Sequence, residues 1–214
     1  GIMTAFIGSA HDEFEWVLKF ANQRMEHINQ RMQRIKDSKA YEGMINFAKQ
    51  RVATGDREAI EWMERAFELL YRLKRIGGQV TAHLVKDDSA AHSPFMESGV
   101  QRVYEEIMRA ERKVPDVPVL ANNGKFLNDP NLYADYLARQ LISKADWQLS
   151  MWVAVNLGIR NFVEVGPKKL LTNFVRQEFP DHTVVKREFG RLVHINFVQE
   201  MPKDVKDKIE LLAA

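Results

Sequence analysis

Ala90-Ala91-His92-Ser93-Pro94-Phe95-Met96 places an imidazole between an extended run, Gln79 to Lys86, and a helix that begins near Glu97. A histidine at such a junction sits at the rim of a sheet, where its ring can serve as a general base near neutral pH. A base needs a proton to remove. Ser89, Ser93 and Ser98 lie too close in sequence to His92 to be ready-made triad partners, and turn or capping roles suit them better. The nucleophile elbow of the α/β-hydrolases requires G-x-S-x-G, and none of the eleven glycines forms such a pair. An isolated loop histidine is more often a turn residue or a partly buried donor. The wider pattern has to decide.

Other chemistries find little purchase. Cysteine is absent, which removes disulfides, thiolate nucleophiles and Cys-based zinc sites. The six histidines form no H-x-H, no H-E-x-x-H and no helical i, i+4 pair. Neither G-x-G-x-x-G nor G-x-x-x-x-G-K-[ST] occurs, so no phosphate loop is expected. The net charge of +2, with basic residues dispersed among acids, gives no nucleic-acid groove. No apolar run reaches the roughly 18 residues of a membrane span, and no signal-peptide pattern opens the chain. We expect a cytoplasmic protein with no cofactor and no metal.

The elements that must position His92 follow from periodicity. Ile2 to Ile7, stopped by Gly8, reads as a buried strand. Ser9 and Asp12 have capping-box spacing, and Phe14, Val17, Leu18, Ala21, Met25, Ile28, Met32 and Ile35 mark one long helix over about Ala10 to Lys36. Ile45 to Gly55 reads as a single extended segment. Asp56 caps a second helix with Ile60, Met63, Phe67, Leu70 and Leu73 inward, ended by Gly77-Gly78. Two helices covering one face of a short sheet is the expected result. Beyond His92 come a helix through Val100 to Met108, a strand at Val117 to Asn122, helices over Asn131 to Leu141 and Asp146 to Leu157, and a strand at Asn161 to Val165. A helix carrying Leu170, Leu171, Phe174 and Val175, a strand at Thr183 to Lys186, a mixed segment to Phe197 and a helix from Asp204 to Leu212 complete an α/β pattern.

Several short motifs now line up. Leu84 to Met96 resembles the active-site histidine segment of the malonyl-CoA:acyl carrier protein transacylases and the acyltransferase domains of fatty acid and polyketide synthases. Gly1 to Gly8 is similar to the first strand of that family's small subdomain. Asn46 to Asp56 resembles its Asn-containing strand, Val119 to Lys125 its later strand and turn, Ala138-Arg139-Gln140-Leu141 with Trp147 its R-Q-L helix, and Phe162 to Pro167 its E-V-G-P turn. These matches are collinear from Gly1 to about Phe179. The resemblance implies an α/β fold with a ferredoxin-like α+β subdomain, residues 1–86, followed by the C-terminal portion of an α/β-hydrolase-like acyltransferase domain, residues 87–214.

It also implies ping-pong transfer of a malonyl or other acyl group from coenzyme A to acyl carrier protein, with the thioester as substrate. His92 takes the general-base role, and the main-chain carbonyl at Gln140 orients its imidazole. The family's elbow serine, oxyanion-hole residue and carboxylate-binding arginine all precede the position of Ile2, so a complementary N-terminal half or companion chain is expected to supply them. Lys168 stands where the family often has a second glycine, and Ala48 near its usual proline. Lys144, Lys168, Lys169, Lys186, Arg187 and Arg191 offer a docking face for an acidic carrier, although solvated charge is the commoner role for any one of them. The contrasting expectation is a non-catalytic interaction module derived from this fold, working through its long helix.

Overall fold

A computed structural model describes residues 1–32, 38–86, 89–166, 169–187, 190–196 and 200–213. The chain divides into two units, residues 1–118 with 127–145, and residues 119–126 with 146–214. The histidine segment and the helices that follow it belong to the first.

That first unit opens with strand β1 (Ile2–Ile7), helix α1 (His11–Met32), strands β2 (Ala40–Phe47) and β3 (Gln50–Gly55), helix α2 (Arg57–Arg72) and strand β4 (Thr81–Lys86). The strands are antiparallel in the order β4-β1-β3-β2, which is the ferredoxin-like βαββαβ arrangement, and the two-residue β5 (Ala145–Asp146) extends the β2 edge. Alternation along β1 explains the two faces. Ile2 and Phe6 join Phe14, Val17, Ala21, Met25, Ile60, Met63 and Phe67 in the core beneath α1 and α2. Phe6 anchors it, with ring centroids 5.8 Å from Phe14 and 5.3 Å from Phe67. Met3 and Ala5 point the other way with Val52, and Met44 and Ala91 pack on them. The histidine segment therefore lies on the sheet face opposite the helices.

Several sequence expectations are corrected here. Residues 45–55 comprise the end of β2, the two-residue turn Ala48-Lys49 and β3 of a hairpin, not one extended segment. Ser9 is fully buried and its Oγ has no hydrogen-bond partner among the described residues, so it does not close a capping box with Asp12. The cap sits one residue later, where the Ala10 N–H donates to Glu13 Oε2 at 2.9 Å. Described helix α1 ends at Met32, and the expected continuation to Lys36 lies outside the described residues. Helix α2 stops at Arg72 rather than at Gly77-Gly78. Lys74, in left-handed backbone at φ 54°, turns the chain, and the Arg75 N–H donates to the Leu70 carbonyl. Gly55, at φ 154°, is required by packing, because a Cβ there would lie 2.2 Å from the Lys39 carbonyl oxygen.

After His92, a short 3-10 turn (Pro94–Met96) leads into α3 (Glu97–Arg109), and α4 (Tyr133–Arg139) follows a second such turn (Pro130–Leu132). The expected strand at Val117 to Asn122 is absent among the described residues. Pro115 and Pro118 remove ladder donors around it, and only an isolated bridge joins Leu120 to Phe126.

The second unit contains α5 (Trp147–Asn156), β6 (Asn161–Val165), α6 (Leu170–Glu178), β7 (His182–Arg187), β8 (Gly190–Ile195) and α7 (Lys203–Ala213). Its sheet is antiparallel in the order β6-β8-β7, so the expected mixed segment is in fact the central strand. Trp152, Val155, Val175, Phe179, Val193, Ile195 and Val205 form the core, with Trp152 and Phe179 rings 4.8 Å apart. Asp146 caps α5 by accepting from the Leu149 N–H at 2.8 Å, and its other oxygen receives Lys208 Nζ at 2.8 Å. No described helix is long and apolar enough to cross a membrane.

Candidate active site

His92 is a non-glycine residue held in left-handed backbone, at φ 60°. That conformation is costly for an L-residue and persists only where surrounding bonds over-determine it. Here they do. The His92 N–H donates to the Leu141 carbonyl at 2.8 Å, which fixes the backbone. Ser93, fully buried, donates its Oγ hydrogen to the Ala90 carbonyl at 2.6 Å, and the Met96 N–H closes the following turn on the Ser93 carbonyl. The Phe95 ring meets Tyr41 of β2 edge-on at 5.8 Å.

The imidazole is anchored just as closely. Nδ1 lies 2.9 Å from the Gln140 carbonyl oxygen and 3.1 Å from the Ser143 carbonyl oxygen. A carbonyl only accepts, so Nδ1 carries a proton, and in the neutral imidazole Nε2 then presents the lone pair. The acceptors come from a tight turn beyond α4, closed by bonds from Gln140, Leu141, Ile142 and Ser143 N–H groups back to Leu137, Ala138 and Arg139. One turn thus supplies three acceptors to one residue: Gln140 and Ser143 to the ring, Leu141 to the backbone.

Strands β2 and β3 carry a buried charge pair that reaches the same turn. Arg51 of β3 is 1% exposed, and its Nη1 donates to Glu42 Oε1 of β2 at 2.9 Å. Lys144, the residue after Ser143, donates to the other oxygen of Glu42 at 2.8 Å. Burial pushes the Glu42 carboxyl up, but Lys144 and Arg51 together outweigh it and hold the group below its ordinary value. Lys144 is therefore committed to an internal pair. Of the other basic residues considered for a docking face, Lys169 is exposed, while Lys168 and the side chains of Lys186, Arg187 and Arg191 lie outside the described residues.

Ser93 Oγ is already engaged, and Ser98 is exposed on α3. No hydroxyl bonds to His92 Nε2 among the described residues, and no group of three or more His, Asp or Glu there could hold a metal. Sequence reasoning missed the Ser143 and Leu141 carbonyls and the Glu42–Arg51 pair. Main-chain acceptors have no side-chain signature. Arg51 did leave one: a guanidinium beside Val52-Ala53 in a strand whose neighbours are buried.

Neither a family model nor a curated protein matches the sequence. Solved structures do match. The malonyl CoA-acyl carrier protein transacylase from Coxiella burnetii aligns at TM-score 0.67 and 22% identity, over 83% of this chain and 50% of that one. An acyl carrier protein S-malonyltransferase from Vibrio cholerae aligns at 0.67 and 21%, over 84% and 52%. A malonyl-transacylase in complex with its type II polyketide acyl-carrier protein aligns at 0.68 and 19%, again over 84% and 52%. The fold is that of the malonyl transacylases, in part. The chain spans about half the length of the transacylases it matches, so the likeness concerns architecture rather than a complete catalytic apparatus.

Proposed function

We propose that this chain supplies the general-base histidine for acyl transfer, malonyl transfer in the first instance, from coenzyme A to acyl carrier protein. The nucleophilic serine comes from a complementary N-terminal half or companion chain. The observation that carries this reading is the His92 ring, with Nδ1–H held by two carbonyls and Nε2 bare, on a transacylase fold.

The chemistry follows from that tautomer. Serine Oγ attacks the thioester carbonyl while Nε2 takes its proton. The C–O bond forms, the C–S bond breaks, and the proton passes from Nε2 to the departing coenzyme A sulfur. In the second half, Nε2 accepts the proton of the carrier's phosphopantetheine thiol, whose sulfur displaces the serine oxygen, and the serine is reprotonated. The Gln140 and Ser143 carbonyls stay in place throughout and hold the ring as it gains charge. The step as written calls on no cofactor, because the acyl group arrives already activated as a thioester.

Strand β6 supports the need for a second half. Among the described residues it is an edge strand, yet Val163 and Val165 are 60% and 82% exposed. A hollow of about 160 Å³ beside it is walled by Trp147, Met151, Phe162, Leu171 and Val193. Such apolar exposure fits a surface covered by further chain. The test is to mix the protein with a polypeptide carrying the G-x-S-x-G half and malonyl-CoA, then follow acyl-serine by mass spectrometry. The expected result is an acyl adduct that is lost with His92→Ala; an intact pair that forms no adduct overturns the proposal.

A non-catalytic interaction module is the second reading, favoured by Trp16 of α1, which is 53% exposed and stacked on Phe20 with ring centroids 5.5 Å apart. It predicts partner binding that survives His92→Ala and no acyl transfer in any mixture.

A further inference from the structure

We infer that Glu42 is a positioning residue for His92, acting through Lys144 and the turn that carries the histidine's carbonyl acceptors. The inference rests on the general-base reading and concerns how the base acquires its tautomer.

The link is short and covalent for most of its length. The Ser143 carbonyl belongs to the same planar peptide unit as the Lys144 nitrogen and Cα, so restraining Lys144 restrains the oxygen that faces Nδ1. Lys144 Nζ is fixed by Glu42 Oε2 at 2.8 Å, and Glu42 Oε1 is fixed in turn by Arg51 Nη1 at 2.9 Å. Arg51 cannot swing away: its side chain is 2% exposed, and that of Glu42 is 10% exposed. The rigid sheet thus holds the loose end of the turn, while α4 holds the other.

Stability alone does not account for the pair. Burying two charges costs more desolvation than their attraction recovers unless every polar atom is satisfied, and apolar residues often serve a core as well or better. In this case Arg51 Nε is buried with no hydrogen-bond partner among the described residues. A carboxylate that meets a buried guanidinium with one oxygen and reaches the site's turn with the other has the geometry of a register pin. Ala145, buried in β5 next along the chain, is the competing anchor, and it would hold the turn unaided if the pin were idle.

The discriminating experiment is long-range ¹H–¹⁵N NMR of the His92 ring in the full 214-residue chain, at a pH where the ring is neutral. Wild type should show one protonated-type nitrogen, Nδ1, and one bare-type nitrogen, Nε2. Lys144→Met is the primary variant because that side chain is 40% exposed and its loss should spare the fold. Losing about one hydrogen bond's worth of bias should raise the Nε2–H tautomer roughly fivefold, and Lys144→Arg should restore the wild-type ratio. Glu42→Gln should give the same shift, with circular dichroism confirming that it remains folded. An unchanged ratio in folded Lys144→Met overturns the inference. If the ratio responds but no mixture transfers an acyl group, the transacylase reading falls and the positioning role stands.

Discussion

His92 and His182 make the same first bond and differ at the second. Each places Nδ1 2.9 Å from a main-chain carbonyl, Gln140 for one and Phe179 for the other. His182 then receives the Arg176 Nε–H on its Nε2 at 3.2 Å, whereas His92 Nε2 has no such donor among the described residues. His182 lies in a strand, while His92 sits in strained backbone. A carbonyl clamp fixes a tautomer wherever it occurs. It prepares a base only where the opposite nitrogen is left open, and at His92 the chain accepts backbone strain to leave it so.

The largest expected contrast is in acyl transfer measured with the complementary half. His92→Ala should lower the rate by about 10²- to 10⁴-fold, whereas His182→Ala should leave it within about twofold and instead cost roughly 1 kcal/mol of stability. Equal losses would erase the distinction between the two rings.

Next comes the buried charge pair of β2 and β3, for which urea denaturation is the measurement. Glu42→Ala leaves Arg51 buried and unpaired and should cost about 3–5 kcal/mol. Asp135→Ala breaks a pair with Arg139 whose side chains are 57% and 61% exposed, and should cost less than about 1 kcal/mol.

Acid sensitivity tests the same pair more gently. Glu42 is held below its ordinary carboxyl value, so the folded state binds its proton less readily than the unfolded state does. The stability it contributes is complete above the unfolded value and is lost as pH falls through the lowered folded one. Lys144→Met removes one of the two cations that depress it, and the acid unfolding midpoint should move to higher pH. Monitoring unfolding by circular dichroism across that acid limb would reveal the shift, and an unmoved midpoint would show Arg51 alone to be sufficient.

Backbone strain gives the smallest effect. Lys74 shares the left-handed conformation without any ring to hold, so Lys74→Gly should stabilise by about 0.5–1 kcal/mol in thermal unfolding. His92→Gly should gain less, since it also discards the two ring bonds. A larger gain at His92 would mean that the clamp contributes little.

How much of this was legible depends on where the information resides. Strand β6 was read at its true limits because Gly158 and Gly166 bracket an apolar run, and α2 was recognised through its inward stripe. The β2–β3 hairpin was missed because its turn, Ala48-Lys49, lacks the Asn, Asp or Gly that signals a tight reversal, and Gly43 and Asn46 interrupt the alternation. Capping was misplaced by one residue because Ser9 and Asp12 have capping-box spacing, whereas the buried Ser9 Oγ makes no such bond and Glu13 takes the Ala10 N–H instead. Residue types and spacing brought attention to His92, and resemblance alone brought it to Gln140. The clamp itself consists of main-chain oxygens, which any side chain could have delivered.

The exposed β6 edge also bears on how this protein can be handled and made. A strand with a neighbour on one side only among the described residues, and with two outward valines, is a template on which β6 of another copy could pair. The chain on its own should therefore self-associate as its concentration rises, which sedimentation over a concentration series would reveal.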